Sequence, residues 1–157
     1  MKIIFLAILI GNVAFLSVFA QKAEKIDEFS NINCDTYLAR IDNATIRVEN
    51  DPTVLVYFLI YEGKEKRYDA RSHRTVLINS PVGSAQAKIR SMKAYLLLRK
   101  SPLKNYVFVK AGFRENSTVE IWLVKNVSNL PKPTPTLEKG RYGRRKALGF
   151  CTGCCGE

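Results

Sequence analysis

The stretch Thr53-Val54-Leu55-Val56-Tyr57-Phe58-Leu59-Ile60-Tyr61 decides the fold. Its unbroken apolar run reads as a strand buried on both faces, and therefore central in its sheet. Immediately upstream, Asn50-Asp51-Pro52 stops whatever precedes it, because the residue before a proline avoids the helical region. Further upstream, Asn33 or Asp35 caps a helix that runs to about Glu49. Leu38, Ile41, Thr45 and Val48 recur along it at helical steps. Downstream, residues 62–82 read as a long basic and polar loop, within which Val76, Leu77 and Ile78 supply a short edge strand. Pro81 and Gly83 open a second helix that ends near Lys100. Ala85, Ile89, Met92 and Leu96 form its inward stripe, with Lys88, Arg90 and Lys93 turned toward water. A strand over 106–110, a turn over 111–116 and a last strand over 118–125 follow, the two strands close enough to form a hairpin.

A strand–helix–strand unit calls for a parallel pair with a crossover, and a short final turn calls for an antiparallel last strand. The expected fold class is α/β, a two-layer sandwich with a small mixed sheet and helices on one face. The divisions are a signal peptide over 1–20, a polar lead over 21–33, the α/β domain over 34–127, and a Pro/Thr linker with a basic, Cys-containing tail over 128–157.

The first twenty residues carry one charge, Lys2, then an apolar stretch ending Val18-Phe19-Ala20, the pattern of an export signal cut before Gln21. The whole chain has 157 residues with 25 Lys and Arg against 14 Asp and Glu, a net charge of +11. Removing 1–20 leaves one basic domain's worth of chain, which excludes a polytopic membrane protein and a fully disordered one. Export favours paired cysteines, and Cys34, Cys151, Cys154 and Cys155 permit two disulfides in three connectivities. No second thiol pair with ligand spacing accompanies Cys151-x-x-Cys154-Cys155, so neither a metal nor any other cofactor is expected.

Catalytic constellations are sparse. The single histidine, His73, sits among Arg71, Ser72 and Arg74 and reads as a solvated loop residue rather than a general base. Glu62 and Glu115 are the only candidate acid pair, and turn carboxylates facing nearby cations describe them better. No phosphate-binding glycine loop occurs. An aromatic sheet face carrying Tyr57, Tyr61, Phe108 and Trp122 is expected, covered by the tail.

One order of motifs is recognisable: Cys34-Asp35, Leu38-Ala39-Arg40-Ile41-Asp42-Asn43, Tyr95-Leu96, Gly112-Phe113-Arg114-Glu115, Val119-Glu120-Ile121-Trp122 and Pro133-Thr134-Pro135-Thr136. Over about 34–136 the chain resembles OmpA-like domains in their C-terminal half, and more closely uncharacterised exported bacterial proteins. The resemblance implies a two-layer fold and peptidoglycan binding. That family clamps a diaminopimelate carboxylate with an Asp in a Gly-His-Thr-Asp turn and an Arg before the last strand. Here the turn reads Glu62-Gly63-Lys64-Glu65-Lys66, with a Lys where that Asp stands. Ser117-Thr118 precede the last strand, and the family's helical Arg-Ala becomes Lys88-Ile89.

The expectation is an exported, secreted or periplasmic, non-enzymatic envelope protein. Lys64, Lys66, Arg67 and Arg114 are its binding cations, and the basic tail adds long-range attraction. Its partner is an envelope polymer or envelope protein rather than a specific nucleic acid, and it does not span a membrane after signal cleavage. Two alternatives stand beside it. One is a eukaryotic secreted effector, glycosylated at Asn43, Asn116 or Asn126 and processed at Gly143-Arg144-Arg145-Lys146. The other is an unrecognised hydrolase using Glu62 and Glu115.

Overall fold

A computed structural model of the protein describes residues 22–125 and 127–147. The expected signal peptide, Cys151, Cys154 and Cys155 lie outside the described residues. In chain order the elements are β1 (Glu24–Ser30), α1 (Cys34–Asn50), β2 (Leu55–Asp69), β3 (Arg74–Asn79), β4 (Pro81–Val82), α2 (Ser84–Leu98), β5 (Tyr106–Asn116), β6 (Thr118–Val124) and β7 (Gly143–Lys146).

The apolar run is indeed the centre of the sheet. Val56 to Tyr61 pair with β5 in parallel and with β6 antiparallel, so the two strands flank β2 on opposite edges. β1 closes the β6 side, and β3 pairs with β2 beyond the end of β6. The sheet is mixed and mostly antiparallel, with its parallel pair joined through α2, as the strand–helix–strand reading requires.

Both helices pack on one face. Ile41, Ala44 and Val48 of α1 and Ala85, Ile89, Met92 and Leu96 of α2 meet Val56, Phe58 and Ile60 in one cluster. Asn33 caps α1, its side chain accepting from Thr36 N at 2.9 Å. α2 begins after Gly83, which has φ +80° and no side chain to cap with. Glu62 of β2 supplies the cap instead, Oε1 accepting from Ala85 N at 2.9 Å and Ser84 Oγ at 3.2 Å. A carboxylate at a helix N-terminus also meets the favourable end of the helix dipole.

Several expectations are corrected. The polar lead contains β1. An extra residue at Ile26, where the register against β6 shifts, turns both Ile26 and Phe29 toward the core three positions apart. That bulge breaks the alternation by which a strand is recognised. The loop over 62–82 is mostly strand: β2 continues to Asp69 and turns back as β3, pairing Lys64 with Asn79 through Asp69 with Arg74. Its charged side chains are largely solvated, so no apolar alternation marks it. Asp69 shapes the turn, accepting from Arg71 N and Ser72 Oγ, and His73 takes the left-handed conformation with φ 51°.

The expected turn over 111–116 is the outer half of β5. Gly112, with φ +94°, sits at a register shift within the β2–β5 ladder instead of at a chain reversal. β5 and β6 form no hairpin with each other. Only Ser117 separates them, and the chain crosses β2 there. Gly63 makes the crossing possible: a Cβ at this position would lie 2.4 Å from Arg114 O and 2.5 Å from the Asn116 carbonyl carbon. Phe108 stacks on Phe58, within the helix-side cluster, and leaves the tyrosine face.

Candidate functional site

Two polar constellations occupy opposite sides of this crossing. The first is a pocket of about 260 Å³ lined by residues of β1, the β1–α1 link, β2, α2 and the β5–β6 crossing. Lys88 of α2, expected in solvent, is 6% exposed here. Its ammonium donates to Glu65 Oε1 at 2.7 Å and to Ser117 Oγ. The helix points Lys88 inward at a place where β2 offers a carboxylate, Glu65, to receive it. Lys66 lines the same pocket and is exposed. Tyr37 forms part of its wall, and burial pushes the Tyr37 phenol up, so it stays neutral.

Asn31 and Asn33 also line it. Each amide oxygen is committed to a backbone N–H: Asn31 Oδ1 accepts from Lys66 N at 3.0 Å, and Asn33 Oδ1 from Thr36 N. What remains of each amide is its NH₂ donor pair. Glu65 balances Lys88, and Lys66 leaves a surplus positive charge. A small pocket with surplus positive charge and amide donors suits a carboxylate or another compact anion.

Lys88 beside Ser117 has the composition of a nucleophile–base pair, yet not its chemistry. The Ser117 hydroxyl donates to Tyr61 O at 3.2 Å, and Glu65 stabilises the charged ammonium. In the contact between them Lys88 Nζ is the donor and Ser117 Oγ the acceptor, the reverse of what a base that activates the serine needs.

The second constellation centres on Arg114 and is saturated. Its guanidinium lies 3.7 Å from the Tyr61 ring centroid and donates to Glu120 Oε1 (2.8 Å), Glu28 Oε1 (3.0 Å), Thr134 Oγ1 (2.8 Å) and Thr134 O (3.3 Å). Glu120, 3% exposed, accepts on Oε2 from Tyr61 OH and Trp122 Nε1. Burial pushes the Glu120 carboxyl up, but the hydrogen bonds from Arg114 and Trp122 outweigh it and hold it below the ordinary value.

Through Thr134 this clamp fixes the segment expected to be a stiff Pro/Thr linker. Thr136 N and Leu137 N donate to Phe113 O at 3.0 and 3.2 Å. Gly140 lies close against the Phe113 ring, and Tyr142 OH donates to Glu62 Oε2. β7 then pairs with β4, so the Gly143–Lys146 motif is part of a strand. The tail thus lies against the sheet face that carries Tyr61, Thr134 N donating to the Tyr61 hydroxyl at 3.0 Å and Pro135 sitting beside Gly112. Cys34 is disulfide-bonded.

The four expected binding cations therefore separate. Lys66 enters the 260 Å³ pocket. Lys64 and Arg114 line a broader cleft between the β2–β3 hairpin and the tail, with Arg114 already held internally. Arg67 is exposed on the hairpin, paired across the ladder with Val76. Glu62 and Glu115 share that cleft, but Glu62 is 9% exposed and serves Ala85, Ser84 and Tyr142. Lys88, Asn31 and Asn33 were missed as site residues, because nothing in their local sequence separates them from surface polar residues. Among the described residues no cluster of three or more His, Cys, Asp or Glu could hold a metal, and no helix is long and apolar enough to cross a membrane. The chain matches no family model, no curated protein and no solved structure.

Proposed function

We propose that this is an exported, non-enzymatic protein of the cell envelope that holds an anionic envelope polymer, with peptidoglycan as the first candidate. The carrying observation is the pocket in which exposed Lys66 and buried Lys88 stand together with the amides of Asn31 and Asn33. Counted from Gly63, Lys66 takes the place of the Asp in the Gly-His-Thr-Asp turn of OmpA-like domains, and Lys88 that of their helical Arg. The turn position and the position before the last strand by which that family grips a carboxylate, here Lys66 and Ser117, line one pocket with Lys88 on a two-layer mixed α/β fold.

The reading differs from the family pattern in charge. An Asp–Arg pair recognises a zwitterion, with one group for its ammonium and one for its carboxylate. A Lys–Lys pair with one balancing Glu favours a ligand, or part of one, that is anionic alone. Exposed cations elsewhere on the surface extend the same preference. Lys64, Arg67, Arg71 and Arg74 of the hairpin and Lys139 and Arg141 of the tail form no ion pair among the described residues. They add attraction to an anionic polymer that weakens with salt.

Co-sedimentation of the protein with purified cell-wall sacculi tests the proposal. Binding at low ionic strength that falls on Lys66→Glu substitution is expected. Equal binding by the parent and the variant would remove the pocket from the function.

A further inference from the structure

A second surface differs from this pocket in its chemistry. Between Asp69 and Glu115 the sequence contains no acidic residue and ten cationic ones, and α2 lies within that stretch. Its solvent side carries Arg90 and Lys93, then Leu97 and Leu98 at the C-terminal end. Leu97 is 60% and Leu98 74% exposed, the second the most exposed large apolar side chain among the described residues. Lys100 and Lys104 are exposed just beyond them, and the short 3-10 turn Leu103–Asn105 packs against α2.

The neighbouring groups remove no charge from this rim. Lys93 Nζ lies 5.4 Å from the Phe108 ring centroid, a contact that brings no acid to it. The adjacent acid on α1, Asp42, is occupied by Arg99 at 3.1 Å and by Tyr95 OH at 2.8 Å. Arg90, Lys93, Lys100 and Lys104 form no ion pair among the described residues.

We infer that the solvent face of α2 is a docking surface for an anionic phospholipid bilayer, with Leu97 and Leu98 entering the headgroup boundary and Arg90, Lys93, Lys100 and Lys104 meeting lipid phosphates. Charge complementarity selects this occupant: a cationic rim without acids around two protruding leucines matches a fluid anionic surface. A folded protein partner or a second copy of this chain would need its own acidic, concave patch of fixed shape. A second copy offers this same basic face and repels it.

The test uses the full chain with vesicles of phosphatidylglycerol and phosphatidylcholine, or of phosphatidylcholine alone. Leu97→Ser/Leu98→Ser is expected to lower affinity for the anionic vesicles about tenfold, and Lys93→Glu/Lys100→Glu/Lys104→Glu to lower it about a hundredfold or more. Parent and variants share residues 1–20, so their difference reads this face. A local readout accompanies it: in Leu98→Trp, brominated phosphatidylglycerol quenches the new tryptophan, whereas Trp122 of the parent is spared. These side chains are exposed, so unchanged circular dichroism and melting are expected throughout. Equal vesicle affinity for parent and variants, or no quenching of the tryptophan introduced by Leu98→Trp, would overturn the inference. Self-association that disappears in Leu97→Ser/Leu98→Ser, without vesicle binding, would assign the face to a second copy and overturn it equally.

Discussion

Arg114 reaches across the central strand to Glu120. The two residues belong to β5 and β6, on opposite edges of β2, and their 2.8 Å contact passes over the Tyr61 ring. A pair buried in this way is weak evidence of net stability, but removing one partner strands the other. Arg114→Ala should therefore cost about 3 kcal/mol in denaturant unfolding. Arg114→Met combined with Glu120→Met should recover most of that loss, because neither charge is then left alone. A single substitution as mild as the double one would show that the clamp is solvated.

The same clamp makes the fold acid-sensitive. The Glu120 carboxyl is held below its ordinary value of 4.5, so its contribution is fully present above about pH 4.5. It is lost as pH falls through the lowered folded value. Unfolding free energy should decline over that acidic window, and Glu120→Gln should flatten the decline. An identical slope in the variant would place the acid sensitivity elsewhere.

The tail strap carries the opposite sign. The hydrogen bond to Glu62, followed by burial, pushes the Tyr142 phenol up to about 12 from 10.0. A raised value means that the contribution is present below pH 10 and lost as pH rises toward 12. Difference titration of the parent against Tyr142→Phe should show one phenol ionising near 12. Ionisation near 10 would mean that the strap does not hold Tyr142 against Glu62.

Gly63 tests the topology itself. A methyl group there meets the backbone of Arg114 and Asn116, which cannot rotate away as a side chain can. Gly63→Ala should cost about 3 kcal/mol, at the upper end for overpacking. By comparison, Asn33→Ala, which removes only the α1 cap, should cost about 1 kcal/mol. If Gly63→Ala were the milder of the two, the chain would not cross β2 at this point.

What the sequence revealed and what it hid have physical causes. Val56 to Ile60 announce a central strand because both faces are buried, and Ile89, Met92 and Leu96 announce a helix because one face is. β1 was hidden by the bulge at Ile26. The β2–β3 hairpin was hidden because Lys64, Lys66, Arg67 and Arg74 are solvated and leave no apolar period. Gly63 and Gly112 read as turn glycines, though one permits a crossing and the other a register shift. In the candidate site, Lys66 was legible as one cation of a basic segment, Lys64 to Arg74. Lys88 read as a surface lysine because only the tertiary fold brings Glu65 and Ser117 to it. Arg114 was legible as an important cation, but its partners Glu28, Glu120 and Thr134 come from three separate segments.

The most direct measurement is the affinity of the purified protein for cell-wall sacculi at low ionic strength, compared between the parent, Lys66→Glu and Lys132→Glu. Lys132 carries the same charge change in the tail, outside the pocket. The expected result is binding that weakens with salt and falls about tenfold or more in Lys66→Glu, with little change in Lys132→Glu. Equal losses in both variants would reduce the attraction to net charge, and no loss in Lys66→Glu would contradict a binding role for the pocket.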